Sequence, residues 1–378
     1  MATTHLTIDL SRQEPVPRAG VEAALALMGS GKLHRYGETG GVPSEVSALE
    51  AEFAQQLGTR YVVAMNSCGS TMFVALRAAG VGPGDAVLCN GFTLAPVPGA
   101  IVHAGARPVL VEVTEDCTID LDDLARKAQA SGARTLLLSH MRGHVCDMRR
   151  LTAVCAVYGV QLIEDCAHTM GAGWDGRATG TWGRAGCFSL QSYKHANSGE
   201  GGLLATDDDD IAAQAILLSG SYMFYGAHQV RPADAVFERW KYDTPNFSLR
   251  MSNLAAALAP VPHLRLPVRP PQEQFVASSI QFGLVGLSPV GRQAFVAGCA
   301  ERGVHVKWFG AEEPVGFTSV WQHWRYLGPL QPLPQTERVL SGLCDMRLPL
   351  ALTQADCGAI AQVMAESMAA ACSLHASG

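Results

Sequence analysis

Up to Asp165, short continuous apolar runs alternate with longer segments whose apolar residues recur every three to four positions. "VEAALALMGSGKL" and "VSALEAEFAQQLG" have the helical period, and Gly58 stands as the C-cap of the second. "RYVVAMNS" reads as a strand. It runs into "CGSTMFVALRAAGVGPGD", a small-residue turn and then a helix that stops at Gly-Pro-Gly. The alternation continues with "AVLCN" as strand, "PVPGAIVHAG" as helix and "RPVLVEV" as strand. "IDLDDLARKAQASG" is a helix opened by an aspartate, "RTLLLSH" a strand, "DMRRLTAVCAVYG" a helix and "VQLIED" a strand. Strands that are apolar throughout are buried on both faces, which predicts an α/β fold: a mostly parallel sheet flanked by helices. Ligands of such sheets bind beside the carboxyl ends of the strands, so the polar and small residues there are the first candidates for chemistry.

The pattern changes near Asn246. "FSLRMSNLAAALA" predicts a further helix, and the proline-rich "APVPHLRLPVRPPQEQF" follows it. "SIQFGLVG", "VGRQAFVAGCAERG" and "VHVKWFG" then predict strand, helix and strand, with a last helix at "DCGAIAQVMAESMAAAC". The chain therefore divides into an N-terminal arm (1–20), a large α/β domain (21–247) and a smaller α+β C-terminal domain (248–378).

With 378 residues and 48% hydrophobic content, the chain is long enough for two cores. A net charge of −6 without a basic stripe argues against nucleic acid as a partner. No apolar run reaches the length of about 18 residues that a membrane span requires, and the N-terminus lacks the signal-peptide pattern. Eleven cysteines in apolar contexts such as "LTAVCAVYG" read as buried thiols in a reducing compartment, so a cytoplasmic protein is expected. Cys166 and Cys187 belong with these packing residues. "DDDD" at 207–210 reads as a solvated helix start. In "HMRGHVCD", His140, His144 and Cys146 have a zinc-like composition, but a preceding strand and an internal glycine make a turn, so no metal is expected. Lys307 in "KWFG" reads as a strand edge of the small domain.

Only 16% of the chain is charged, which makes the lysine in "CFSLQSYKHANSGEGG" conspicuous. A lysine amine, with its ordinary pKa of about 10.4, is a poor nucleophile unless it is desolvated. It can instead hold an aldehyde cofactor as a Schiff base. Pyridoxal phosphate needs such a lysine, a carboxylate on its ring nitrogen and a cradle for its phosphate. Lys194 supplies the first, and Asp165, at the end of "VQLIED", the second. The "SCGST" turn, Ser67 to Thr71, offers N–H groups at a helix start, and Ser189 adds a hydroxyl. Taken singly, Asp165 and "SCGST" read equally well as helix caps.

The blocks "NSCGSTMFVALRAAGVGPGD", "GARPVLVEV" and "IEDCAHTMGAGWDGRATGTWGRAGCFSLQSYKHANSGEGG" together resemble the DegT/StrS sugar-aminotransferase family over residues 20 to 255. The resemblance implies a fold type I, pyridoxal-phosphate-dependent enzyme. It places Lys194 as the Schiff-base lysine, Asp165 on the pyridinium nitrogen, and His168 near the cofactor's phenolic oxygen, where glutamine is usual. Ser67, Cys68, Gly69 and Ser189 would hold the phosphate. Arg250, in "FSLRMSN", would reach the neighbouring subunit's site in a homodimer with shared active sites. The chain departs from the family pattern at Cys68, in a turn that usually reads Ser-Gly-Thr. Leu94 stands where an aromatic residue stacks on the ring, with Phe92 two positions away, and Ser248 stands where asparagine is usual. After Ala259, where the family continues into a long helix, this chain turns to prolines. The implied reaction moves an amino group from glutamate or glutamine to a keto sugar, often nucleotide-linked, or to a related cyclic ketone. Two alternatives are a dehydratase or synthase of the 3-amino-5-hydroxybenzoate synthase type and a catalytically degenerate binding or regulatory homologue. His168 is compatible with the synthase type, whereas the family's sugar dehydratases carry histidine in place of the lysine, so Lys194 counts against that branch.

Overall fold

The structure, a computed structural model, describes residues 5–10, 12–13, 15–36, 43–259, 273–274, 279–313, 320–349 and 352–375. The proline-rich segment 260–272 and residues 37–42 lie outside these.

The alternation read from the sequence is present. Helices α1 (Arg18–Ser30) and α2 (Glu45–Leu57) precede strand β1 (Tyr61–Met65), and α3 (Cys68–Ala78) follows it. Then come β2 (Ala86–Asn90), α4 (Pro96–His103), β3 (Arg107–Val111), α5 (Leu121–Ser131), β4 (Thr135–Ser139), α6 (Met148–Tyr158) and β5 (Gln161–Asp165). Local chemistry sets these ends: Asp120 and Asp147 accept N–H bonds at the starts of α5 and α6, and Gly58 ends α2 in the left-handed region. A small hairpin, β6 (Gly173–Trp174) with β7 (Arg177–Ala178), leads to β8 (Ala185–Ser189) and β9 (Gly202–Thr206). Helix α7 (Asp209–Ile216) is capped by Asp208, so the aspartate run is a helix start.

These strands form one seven-stranded sheet in the order β1-β9-β8-β5-β4-β2-β3. All are parallel except β9, which pairs antiparallel with both neighbours. One face packs on α3, α4 and α7 through Val74, Leu76, Ile101 and Ile211, the other on α5 and α6 through Leu124 and Leu151. Helix α8 (Asp234–Trp240) follows.

The predicted helix over 247–259 is a correction. Only α9 (Asn253–Leu258), capped by Ser252, is helical. Residues 247–250 are extended because their backbone bonds go elsewhere: the Phe247 and Leu249 N–H groups donate to Leu218 and Ser219, and Arg250 bridges Met65.

Past β10 (Glu273–Gln274), a second sheet forms from β11 (Ser279–Gly283), β12 (Lys307–Trp308) and β13 (Leu343–Arg347), with β13 central. Lys307 is on its edge, as predicted; β13 was not read from the sequence. Helices α10 (Pro289–Ala300) and α12 (Gln354–His375) cover one face, packing Phe295, Cys299 and Val363 on Cys344 and Met346. Residues of α11 (Pro334–Gly342) and Trp321 instead pack into the large sheet's core. Among the described residues no helix is long and apolar enough to cross a membrane.

Candidate active site

Strand register gathers the predicted residues on one rim. Met65 stands opposite Gly202, Gly202 opposite Ser189, Cys187 opposite Asp165, and Asp165 opposite Ser139. The buried Asp165 carboxylate ends β5. Its Oδ2 accepts the Ser139 hydroxyl at 2.8 Å and its Oδ1 the Ala167 N–H at 3.1 Å, which fixes its plane. Cys68 Sγ is 3.9 Å from Oδ1, so the start of α3 adjoins the acid. Burial, then the Asp165 charge, pushes the Cys68 thiol well up, which makes it a packing group rather than a nucleophile.

Lys194 lies in the turn after β8, with Nζ 2.7 Å from His168 Nε2. Burial, then the charge of Arg142, lowers its amine from 10.5 to about 8, against the opposing pull of Asp165 and Cys68. Burial, then Lys194, holds the His168 imidazole well below its ordinary value. A neutral imidazole accepts a hydrogen bond from the lysine and steers the amine.

Ser67 caps α3: its Oγ accepts the Ser70 N–H at 3.1 Å. The N–H groups of Cys68 and Gly69 have no partner among the described residues. A Cβ on Gly69 would meet nothing nearer than Ser67 Oγ at 3.7 Å, so this first turn is open. Gly202 is required beneath it, since a side chain there would collide with the Ser67 carbonyl. Buried Ser189 Oγ accepts the Gln191 N–H at 3.4 Å. An amine, a carboxylate and an open helix start beside a hydroxyl are the donor set of a pyridoxal phosphate site, so the residues present fit that group.

Not every predicted residue joins them. Phe92 is 0% exposed and packs edge-to-face on Phe309 at 5.1 Å, which leaves it no surface for a cofactor ring. Half-buried Leu94 keeps accessible surface. Ser248 is exposed. Arg250 Nη1 donates to the Gly220 carbonyl at 2.7 Å, with its guanidinium 5.6 Å from the Tyr222 ring. The zinc-like histidines are separated: His140 bonds Glu164 at 3.0 Å and His144 bonds Gln281 at 2.7 Å. His140, Glu164 and Cys166 do cluster, but Glu164 also accepts the N–H groups of Gly180, Trp182 and Gly183 and so holds that loop.

The sequence reading missed Ser139, Arg142 and His195. Ser139 ends "TLLLS", and the strand-end rule that selected Asp165 would have found it. His195 follows Lys194; both its ring nitrogens are buried without a partner among the described residues, and burial, then Lys194, lowers it to about 4.

Solved structures share this architecture. The aminotransferase TlmJ from Streptoalloteichus hindustanus superposes with a TM-score of 0.77 at 23% identity, over 98% of this chain and 99% of its own. A 3-amino-5-hydroxybenzoic acid synthase does so with 0.78 at 20%, over 96% and 99%. The fold is therefore that of the fold type I aminotransferases. Within that class the chain belongs to the DegT/DnrJ/EryC1/StrS aminotransferase family, whose sequence profile matches residues 21–296. It is 33% identical over 217 residues to the spore coat polysaccharide biosynthesis protein SpsC of Bacillus subtilis (strain 168), 57% of this chain and 55% of that protein. It is 38% identical over 164 residues to the L-glutamine:scyllo-inosose aminotransferase of Streptomyces griseus, 43% and 38% of the two chains. These matches span about half or less of the length of the curated relatives.

Proposed function

We propose that the protein is a pyridoxal-phosphate-dependent aminotransferase that moves an amino group from glutamate or glutamine to a keto sugar, often nucleotide-linked, or a related cyclic ketone. The observation that carries this reading is the Lys194 amine, 2.7 Å from a neutral His168 on the same rim as a buried, oriented Asp165. The family and its sugar-modifying members support it.

Bound pyridoxal phosphate would supply an aldehyde for the donor's nitrogen and a ring that accepts electrons when the donor loses its α-proton. Lys194 Nζ holds the group at rest and, once released, takes and returns that proton; a lowered amine pKa suits this. Asp165, oriented by Ser139 and Ala167, keeps a proton on the ring nitrogen. His168 orients the lysine. The open N–H groups of Cys68 and Gly69, with the Ser67 and Ser189 hydroxyls, hold the phosphate. Leu94 would offer the ring aliphatic surface in place of an aromatic one. In this reading Arg250, beside Ser248, serves the partner's site in a homodimer, and exposed Leu25, Met28, Phe224 and Phe247 supply apolar surface for that contact. The division into 21–247 and 248–378 and a cytoplasmic setting, suited to eleven free thiols, complete the proposal.

Borohydride reduction followed by peptide mapping tests it. Label should appear on Lys194, and Lys194→Ala should lose both the label and the visible absorbance of bound cofactor. Label elsewhere, or none, contradicts the assignment.

A further inference from the structure

We propose that the polar face of the small sheet, together with Arg142, forms an anion-binding subsite beside Lys194 that takes the carboxylate or phosphoryl oxygens of a reactant. This rests on the aminotransferase reading.

Strand alternation builds the face. Cys344 and Met346 of β13 point into the apolar core, so Asp345 and Arg347 point the other way. Residues directly opposite in antiparallel strands share a face, which adds Lys307 of β12 and Gln281 of β11 across from Asp345, and Ser279 across from Arg347. Two contacts turn this face toward the rim. Arg142, in the turn after β4, pairs with Asp345 at 3.1 Å, and the Arg347 guanidinium stands 4.5 Å from the ring of Tyr193, the neighbour of Lys194.

Arg142 therefore stands between the lysine and the small sheet, and its acid, Asp345, also accepts the Gln281 amide at 2.6 Å. Like charges surround Arg142. After burial, the Arg142 charge is the next cause holding both Lys194 and Lys307 down to about 8, and Arg347 also depresses Lys194. Arg142 bears further strain. Its backbone is left-handed at φ 59°, and its Nε is buried with no hydrogen-bond partner among the described residues. A strained, incompletely satisfied arginine among like charges is stabilised when an anion arrives, and its planar fork suits carboxylate or phosphate oxygens.

The probes are glutarate, a dicarboxylate without an amine, and inorganic phosphate, each titrated calorimetrically into the holoenzyme. Calorimetry reads binding whether or not Lys194 carries cofactor, so failure here is distinct from failure of the labelling test. The wild type should bind at least one probe, more weakly as salt rises. Arg142→Gln and Arg347→Gln should each weaken binding by about tenfold or more, the scale of one charge-assisted hydrogen bond. Arg338→Gln, which removes an exposed pair with Glu115, is the control and should match the wild type. Circular dichroism confirms folding, and Arg347→Lys, which keeps charge but not the fork, should fall between wild type and Arg347→Gln. Wild type that binds neither probe, or variants that bind as wild type does, overturn the proposal. The first half-reaction with glutamate then identifies the source. A parallel rise in the glutamate concentration for half-maximal rate assigns the anion to the donor, and an unchanged value with probe binding lost assigns it to the acceptor.

Discussion

A lysine amine is useful only when it can lose its proton near neutral pH, and Lys194 is brought there chiefly by burial and then by Arg142. Because the neutral amine is the nucleophile, cofactor uptake by the cofactor-free protein should rise with pH and be half-maximal near the folded value of about 8. Removing the repelling cation in Arg142→Gln should move that midpoint to higher pH. Stopped-flow absorbance across the range checks both. Asp165 makes the complementary prediction. Asp165→Asn keeps a side chain that can accept the Ser139 hydroxyl, so cofactor should stay bound. The half-reaction with glutamate should slow by about a hundredfold or more, because a neutral amide no longer holds the ring-nitrogen proton. An unchanged rate would remove Asp165 from the mechanism.

Between elements, one buried knot ties the chain after α1 to α2 and to the loop before α8. Arg35 Nη2 donates to Glu50 at 2.7 Å, His228 lies 3.1 Å from the same carboxylate, and the other Glu50 oxygen accepts the Ala64 N–H of β1 at 2.7 Å. Burial alone would raise the Glu50 acid, but Arg35 and His228 reverse this and bring it from 4.5 down to about 2. Burial lowers His228 below its ordinary 6.5. Both shifts have the same sign. Protons bind the unfolded chain first, at His228 as pH falls through 6.5 and at Glu50 through 4.5, so stability is full above that window and lost towards pH 2. Glu50→Gln should cost about 3 kcal/mol near neutral pH, since it leaves Arg35 buried without its counter-ion, and should flatten the acid limb. Thermal melts across the acid range measure both effects. Nothing in the local sequence marks this knot, because Glu50 occupies an ordinary helical position and its partners are 15 and 178 residues away.

At the scale of the molecule, the shared-site reading makes a complementation test. Arg250 is fixed by the Gly220 carbonyl on the far side of β1 and makes no hydrogen bond to Lys194 or Asp165 among the described residues. If it serves the partner's site, mixing inactive Arg250→Ala and Lys194→Ala proteins should restore activity, approaching a quarter of the wild-type level on random reassortment into dimers. No recovery at any mixing ratio argues for sites confined to one chain.

The order of strands and helices through Asp165 was legible in the sequence, as were the lysine, acid and capped turn proposed for the site. They rest on local physics: apolar runs that must be buried on both faces, aspartates that cap, and polar residues forced to strand ends. The helix predicted over 247–259 failed because β1 and the segment near Ser219 offered that backbone better partners than its own turns. Phe92, two positions from Leu94, packs on Phe309, 217 positions on, a contact that no local pattern shows. Only the tertiary structure brought Arg142 to Asp345 and Arg347 to Tyr193 beside Lys194, because charge convergence depends on strand register and sheet facing, which side-chain period alone does not specify.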